Sequence, residues 1–303
     1  MQKAYFVSIP ILLIGGSYFV YSQFAFSAPK PSPVEVIPFE TAAPSIELTD
    51  HNTYIAFSDD LTFDAGNLIA EAASVPEALI IDNDIYVYFV NAYEAHKGDG
   101  ENIYYMVSKD GGETWVDREP IEIGGLPEGL EPVDPSLIEL EDGQIRLYFY
   151  DFGMFGSPLK TEWIVYSAIS DDGVHFEMEE GARIISDTNM TDPEVVIFEG
   201  MWLMFYAGGE ENGIAVASSM DGLNFEDHGS ISDPIFLGIP GAIVENEEVR
   251  IYGDNGYASS TDGVNFEVIS GRYMSGFDPS PIKYRNKFIM IYKDFTQEEP
   301  PSN

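Results

Sequence analysis

The 303-residue chain contains no cysteine. Disulfides, thiol nucleophiles and thiolate metal sites are therefore excluded. Basic residues are scarce as well: eight lysines and six arginines stand against 52 acids, a formal net charge of −38. A nucleic-acid partner is set aside on that ground, because phosphate binding needs clustered Lys and Arg. The same excess repels polyanions and suits a salty medium, where screening weakens self-repulsion. The histidines are His51, His96, His175 and His228. They show no ligand spacing, which argues against zinc. Helical periodicity is missing too: after residue 45 no segment longer than a turn or two repeats its apolar residues at helical spacing.

A long uncharged apolar run stretches from Ala4 to Phe26, just after Lys3. Ala25-Phe26-Ser27 is a small-x-small cleavage site. The run is also long enough to span a bilayer, and membrane helices tolerate Pro10 and the Gly15-Gly16 pair. Residues 1–27 are therefore read as a signal peptide or a membrane anchor, which implies an extracellular or cell-surface location, with membrane contact if the segment is uncleaved. Residues 28–50, with Pro29, Pro31, Pro33, Pro38 and Pro44, read as a stiff linker. Residues 51–303 read as the folded domain.

That domain is repetitive. A Ser-x-Asp phrase begins at Ser58, Ser108, Ser170, Ser219 and Ser260, and most copies run on as Asp-Gly-x-x-aromatic. A second phrase, a proline opening an apolar strand, occurs at Pro76, Pro135, Pro193, Pro240 and Pro279. Repeats of this length mean a solenoid or a propeller. The order of the phrases decides between them. The proline phrase precedes the Ser-x-Asp phrase four times, while Ser58 has no partner before it and Pro279 none after it. The two orphans complete one unit only if the ends of the domain meet. Each proline phrase leads through a polar turn to an aromatic-rich strand, then to a third strand and a fourth, outer one. The fold expected is all-β: a five-bladed β-propeller, its last blade joining residues 278–295 to residues 53–65.

The Ser-x-Asp phrase is read as a fold marker. Asp bonds nearby backbone N–H groups, and Gly supplies the positive φ of a tight turn. The aromatic residue after it is expected to pack between blades. Chemistry is expected instead at the starts of the inner strands, which surround the mouth of the central channel. The residues before the key prolines are Val75, Asp134, Asp192, Ile239 and Asp278, and those after are Glu77, Ser136, Glu194, Gly241 and Ser280. Carboxylates thus gather on four blades, and the fourth blade is bare. A purely structural Asp would recur in all five. Two of the loops between second and third strands are long, Asn91 to Asn102 and Asp151 to Glu162, and two are short, Gly208 to Gly213 and Gly253 to Gly256. This unevenness predicts a one-sided cleft.

Asp-Pro strand openings and Ser-x-Asp-Gly-x-x-Phe turns together resemble the five-bladed glycosidase propellers: arabinanases, β-xylosidases, invertase-type fructosidases and mannoside phosphorylases. The resemblance covers residues 53–295. It implies a base or nucleophile Asp, a helper Asp and an acid Glu at the inner-strand starts. By position Asp134, Asp192 and Asp278 match the aspartates, and Glu194 and Glu77 are the acid candidates. The chain departs from the pattern in having no Glu-Gly-Pro or Glu-Cys element opening an inner strand; Glu199-Gly200 falls in a hairpin turn. Six-bladed sialidases share the turn, but their arginine triad has no clear counterpart among the six arginines here.

The resemblance implies an exported glycoside hydrolase-like propeller acting on neutral or cationic glycans. Tyr93, Asp151, Phe152, Trp163 and Tyr273 are the expected substrate-binding residues, with Phe155 and Phe236 as further aromatics that could stack on sugar rings. No cofactor is required, and Ca²⁺ is the ion that acids and carbonyl oxygens in the channel would suit. The alternative is a non-catalytic carbohydrate- or protein-binding propeller at the cell surface.

Overall fold

Twenty-two strands and one short 3-10 turn make up the computed structural model, which describes residues 48–92, 103–151, 162–209, 213–232, 236–254 and 256–295. The strands form five sheets, antiparallel except for one outer strand of blade 2. Blade 1 takes Ala73–Ile81, Asp84–Asn91, Ile103–Ser108 and Glu119–Pro120, from the channel outward. Blade 2 takes Pro132–Glu139, Ile145–Asp151, Trp163–Ser170 and His175–Met178, with Ile184–Ser186 and the parallel strand Glu122–Gly124 added at its outer side. Blade 3 takes Thr191–Phe198, Met201–Ala207, Ile214–Ser219 and Glu226–Ser230. Blade 4 takes Gly241–Glu245, Glu248–Gly253, Gly256–Ser260 and Glu267–Ser270. The fold is the five-bladed propeller expected from the repeats.

Blade 5 joins the two ends of the domain. Its inner strands are Phe277–Tyr284 and Lys287–Phe295, and the early strand His51–Ser58 pairs with the second of these over eight residues. The outer strand lies further along than the sequence suggests, at Asn67–Ala70, because residues 59–65 are spent on the turn and the step beyond it. Gly66 makes that step possible. A Cβ there would fall 2.0 Å from the Ile55 carbonyl oxygen, and the Gly66 N–H donates to the Tyr292 hydroxyl at 2.7 Å.

The Ser-x-Asp phrases act locally. In each copy the Ser hydroxyl bonds the Asp carboxylate, at 2.8–3.1 Å. The carboxylate in turn accepts N–H groups of the following residues, as Asp172 does from Val174 and His175. The following aromatics do pack between blades. Phe225 meets Tyr148 edge-on, Phe266 meets Phe205, and Phe63 meets Tyr252. Tyrosines of the second strands fasten the turn of the next blade: Tyr88 donates to the Gly173 carbonyl, Tyr148 to Gly222 and Tyr252 to Leu61, at 2.7–2.9 Å. Between these contacts lie clusters of buried Ile, Val, Leu and Phe, each drawn from neighbouring blades.

Candidate functional site

The Asp-Pro dipeptides are β-bulges. Pairing between the first two strands of blades 1, 2, 3 and 5 skips across them, between Ser74 and Glu77, Val133 and Ser136, Thr191 and Glu194, and Phe277 and Ser280. The residue before each proline is left-handed: φ is 47° at Val75, 53° at Asp134, 52° at Asp192 and 48° at Asp278. A residue preceding proline ordinarily stays extended, and a left-handed non-glycine costs of order 1–3 kcal/mol. The strain is a property of the propeller, since Val75 adopts it with no carboxylate to aim. Its effect where aspartate stands is to bring three carboxylates to the channel. Blade 4 lacks the bulge, and its inner strand starts only at Gly241. A Cβ on Gly241 would lie 1.6 Å from the Pro279 carbonyl oxygen, so the blades meet too closely there for any side chain.

Asp134, Asp192 and Asp278 line a narrow waist of the channel, about 20 Å³ in volume, together with the five prolines, Glu77 and Glu194. That is room for about one water molecule. Burial is the largest influence on all three aspartates and raises each. In Asp134 the neighbouring Asp192 and Asp278 charges add to it, so its carboxyl stands well above the usual range, although the Asp192 backbone N–H bonds it. Asp192 is pushed up to about 6, by burial and then by Asp278, with the Thr191 hydroxyl opposing. In Asp278 the rise from burial is opposed by Lys293, whose ammonium lies 2.5 Å from Oδ2. Apart from this ion pair, neither Asp278 oxygen accepts a hydrogen bond from the described residues.

Glu77 and Glu194 sit one residue beyond the bulges and belong to a hydrogen-bonded ring. The side chain at this position accepts a backbone N–H from the next blade: Ser280 from Ala78 at 2.8 Å, Glu77 from Leu137 at 3.4 Å, Ser136 from Val195 at 2.9 Å and Glu194 from Ala242 at 2.8 Å. Only Gly241 has nothing to offer. Burial raises Glu77 to about 7, against its bonds to Ser280, Leu137 and Ala78. Burial and then the Glu77 charge push Glu194 well above the usual range. Both glutamates therefore fasten blades, and both carry protons at mildly acid pH. Below them the channel widens into a funnel of about 420 Å³ with mainly apolar walls.

On the mouth side a cleft of about 500 Å³ opens over blades 3 to 5. Ala207, Leu237, Ile239, Phe277 and Phe295 supply its apolar lining, and Asp254, Asp278 and Lys293 its charges. The rings of Phe277 and Phe295 pack at 5.4 Å. The cleft lies on the side where the second-to-third-strand loops are short; the two long loops fall mostly outside the described residues.

The expected substrate-binding residues fare differently. Tyr93, Phe152 and Phe155 lie outside the described residues, as do residues 1–47. Asp151 is buried at the end of its strand, and its carboxylate accepts the Glu131 N–H at 3.0 Å. Trp163 stacks on Tyr150 at 5.5 Å. Phe236 is buried in the core between blades 3 and 4. Tyr273 packs against Tyr257 at 4.8 Å in the interface of blades 4 and 5, away from the cleft lining. Sequence reasoning missed Phe277, Phe295, Asp254 and Lys293. A signal for Lys293 existed: it stands opposite the residue before the bulge in blade 5, a position held by Val90, Tyr150 and Ala207 in blades 1 to 3. Among the described residues no group of three or more His, Asp or Glu side chains is arranged to hold a metal ion.

No family model matches the chain, and no curated protein sequence matches it. Solved structures do match it in fold. A family 117 glycoside hydrolase of the marine bacterium Zobellia galactanivorans superposes with a TM-score of 0.51 at 17% identity, over 78% of this chain and 79% of that one. An α-L-arabinofuranosidase of Clostridium thermocellum gives 0.54 at 17% identity, over 73% and 81%. A family 32 β-fructofuranosidase of Bombyx mori gives 0.52 at 13% identity, over 80% of this chain and 57% of that one. The chain has the fold of the five-bladed glycosidase propellers. In this propeller the bulged aspartates occupy three of the five inner-strand starts.

Proposed function

We propose that this protein is an exported glycoside hydrolase-like propeller whose reacting carboxylates are Asp134, Asp192 and Asp278. The observation that carries the reading is their convergence, from three separate blades, on one channel waist beside an open cleft. Glycoside hydrolysis needs two carboxyl groups in opposite protonation states. One gives a proton to the departing glycosidic oxygen. The other, ionised, takes a proton from the attacking water or first bonds the anomeric carbon. Crowding like charges in a buried site separates their proton affinities, and this trio is crowded. The cleft's exposed Phe277 offers a flat apolar face to a sugar ring. The charge of −38 favours neutral or cationic glycans. Export rests on the apolar run from Ala4 to Phe26, acting as signal or anchor.

A second reading, a binding propeller without turnover, is favoured by one observation: both glutamates of the channel lie in the inter-blade ring, a layer beneath the aspartates. The test is hydrolysis of a panel of aryl glycosides and plain oligosaccharides by the full chain and by its Asp134→Asn, Asp192→Asn double variant. Turnover in the parent, reduced at least a thousandfold in a variant that keeps its circular dichroism spectrum, is the expected result. A parent that hydrolyses nothing yet binds glycans on an array moves the assignment to the binding module.

A further inference from the structure

The three Asp-Pro dipeptides are equivalent as sequence, and the bulge holds all three aspartates in nearly the same backbone conformation. Their surroundings differ through one side chain. Lys293, near the end of the second strand of blade 5, lies directly across from Phe277, and its ammonium is paired with Asp278 at 2.5 Å. Both partners are buried, with side-chain exposures of 10% and 2%. Among the described residues no ion pair reaches Asp134 or Asp192. Phe295 closes over the ammonium, its ring centroid 6.0 Å away, so Lys293 has little freedom to leave.

We infer that Lys293 is the positioning residue that makes the aspartate trio unequal, holding Asp278 as its ionised member and leaving the retained proton to the Asp134 and Asp192 side. The catalytic consequence rests on the hydrolase reading above; the ionisation order does not. The charged and titratable groups around the pair come from every neighbouring element. Asp134 and Asp192 face it from blades 2 and 3, and Asp254 faces it from blade 4, where its charge opposes the ionisation of Asp278. Tyr150 faces Asp134 and Asp192 from the second strand of blade 2, and His51, on the third strand of blade 5, is a further titratable group beside Lys293. Its imidazole is held to Ser74 Oγ at 2.8 Å, and burial, then the Lys293 charge, lowers it to about 4. His51 is thus neutral near pH 7 and supplies no second cation. With a single cation among the described residues for three buried carboxylates, the one in contact ionises first. Its negative charge then raises the other two, and Asp134, which feels both neighbours, gives up its proton last.

The arrangement solves the chemical problem posed by the missing glutamate. A hydrolase normally separates its base from its acid by using unlike residues in unlike surroundings. Here three like residues are separated by one ammonium. Lys293 touches Asp278, so it acts on the reaction through that carboxylate.

The experiment uses the full chain labelled with ¹³C at the aspartate carboxyls, titrated by NMR, with Asp278→Asn and Asp134→Asn variants to assign the signals. The parent should show Asp278 ionising at lower pH than Asp134. In Lys293→Met, which keeps the aliphatic stem, the Asp278 midpoint should rise by about 1–3 pH units, the usual effect of an adjacent opposite charge. Lys293→Arg should restore the parent order. A parent in which Asp134 ionises first, or a folded Lys293→Met whose order is unchanged, overturns the inference. If Lys293→Met does not fold, the parent order alone still decides. Where the parent hydrolyses a glycoside, the acid limb of its kcat/KM profile should move up with the Asp278 midpoint in Lys293→Met and return in Lys293→Arg; an unmoved limb refutes the link to catalysis. A parent that shows the expected order yet hydrolyses nothing leaves the inference standing and removes the hydrolase reading.

Discussion

Replacing Glu77 by Gln should change the pH dependence of stability in a defined window. The Glu77 carboxyl is buried in the channel wall, and burial raises it from 4.5 to about 7. A carboxyl that holds its proton more tightly in the folded state than in the unfolded one stabilises the fold fully below its ordinary value. That contribution is lost as pH rises through the folded value. The window therefore runs from about 4.5 to about 7 and a little beyond. At ~1.4 kcal/mol per unit, the loss is about 3 kcal/mol. For a domain of this size that corresponds to roughly 6–12 °C in Tm. Glutamine keeps an oxygen to accept the Leu137 N–H and has no proton to lose. The assay is thermal unfolding of both proteins by circular dichroism from pH 4 to pH 9. The variant should match the parent near pH 4 and exceed it by roughly that margin at pH 9. General repulsion in a chain of charge −38 also lowers stability as pH rises, but it acts on both proteins. Repeating the series at about 1 M salt, where the Debye length is about 3 Å, suppresses the general part and leaves the buried part. Parallel parent and variant curves across the window would refute the assignment of Glu77 as a buried, proton-holding member of the ring.

Two further outcomes follow from the packing of the blades. Gly241→Ala places a Cβ 1.6 Å from the Pro279 carbonyl oxygen; urea unfolding should show a loss of about 3 kcal/mol or more, and a loss below about 1 kcal/mol would mean that blades 4 and 5 do not approach as described. Tyr148→Phe removes the 2.7 Å bond to the Gly222 carbonyl and should cost about 1–2 kcal/mol, because that carbonyl is left without its donor; an unchanged midpoint would show that the tyrosine does not fasten blade 3 to blade 2.

Much of the fold was legible in the chain because its signals are local. A Ser-x-Asp turn is built by hydrogen bonds spanning two to four residues, so it forms wherever it is written. Counting its copies against the proline phrases gives both the blade number and the ring closure. The outer strand of blade 5 was placed too early because the first copy lacks the glycine of the others. Leu61 stands left-handed in its place, and the chain straightens only after Gly66. For the site, the asymmetry of Asp-Pro against Val-Pro and Ile-Pro was a legible sign, since a carboxylate needed only for the turn would not skip blades. The aromatic candidates were less legible. Tyr273 and Trp163 read like sugar platforms, yet Tyr257 meets the first edge-on and Tyr150 stacks on the second. Phe277 lies just before the Asp278-Pro279 phrase and carries no signal of the repeat; the bulge beside it puts it at the cleft.

By itself the sequence determined the repeat, the number of blades, the blade built from both ends of the domain and the positions of the mouth aspartates, because all of these are read from phrases whose turns form through contacts between near neighbours in the chain. The tertiary structure alone decided what surrounds those aspartates. Lys293 meets Asp278 because two antiparallel strands place their ends together. Glu77 and Glu194 become fasteners because backbone N–H groups 60 and 48 residues away in the chain arrive beside them. Proton affinity in a buried carboxyl depends on what lies within a few ångströms, and closing the ring of blades brings those neighbours into place.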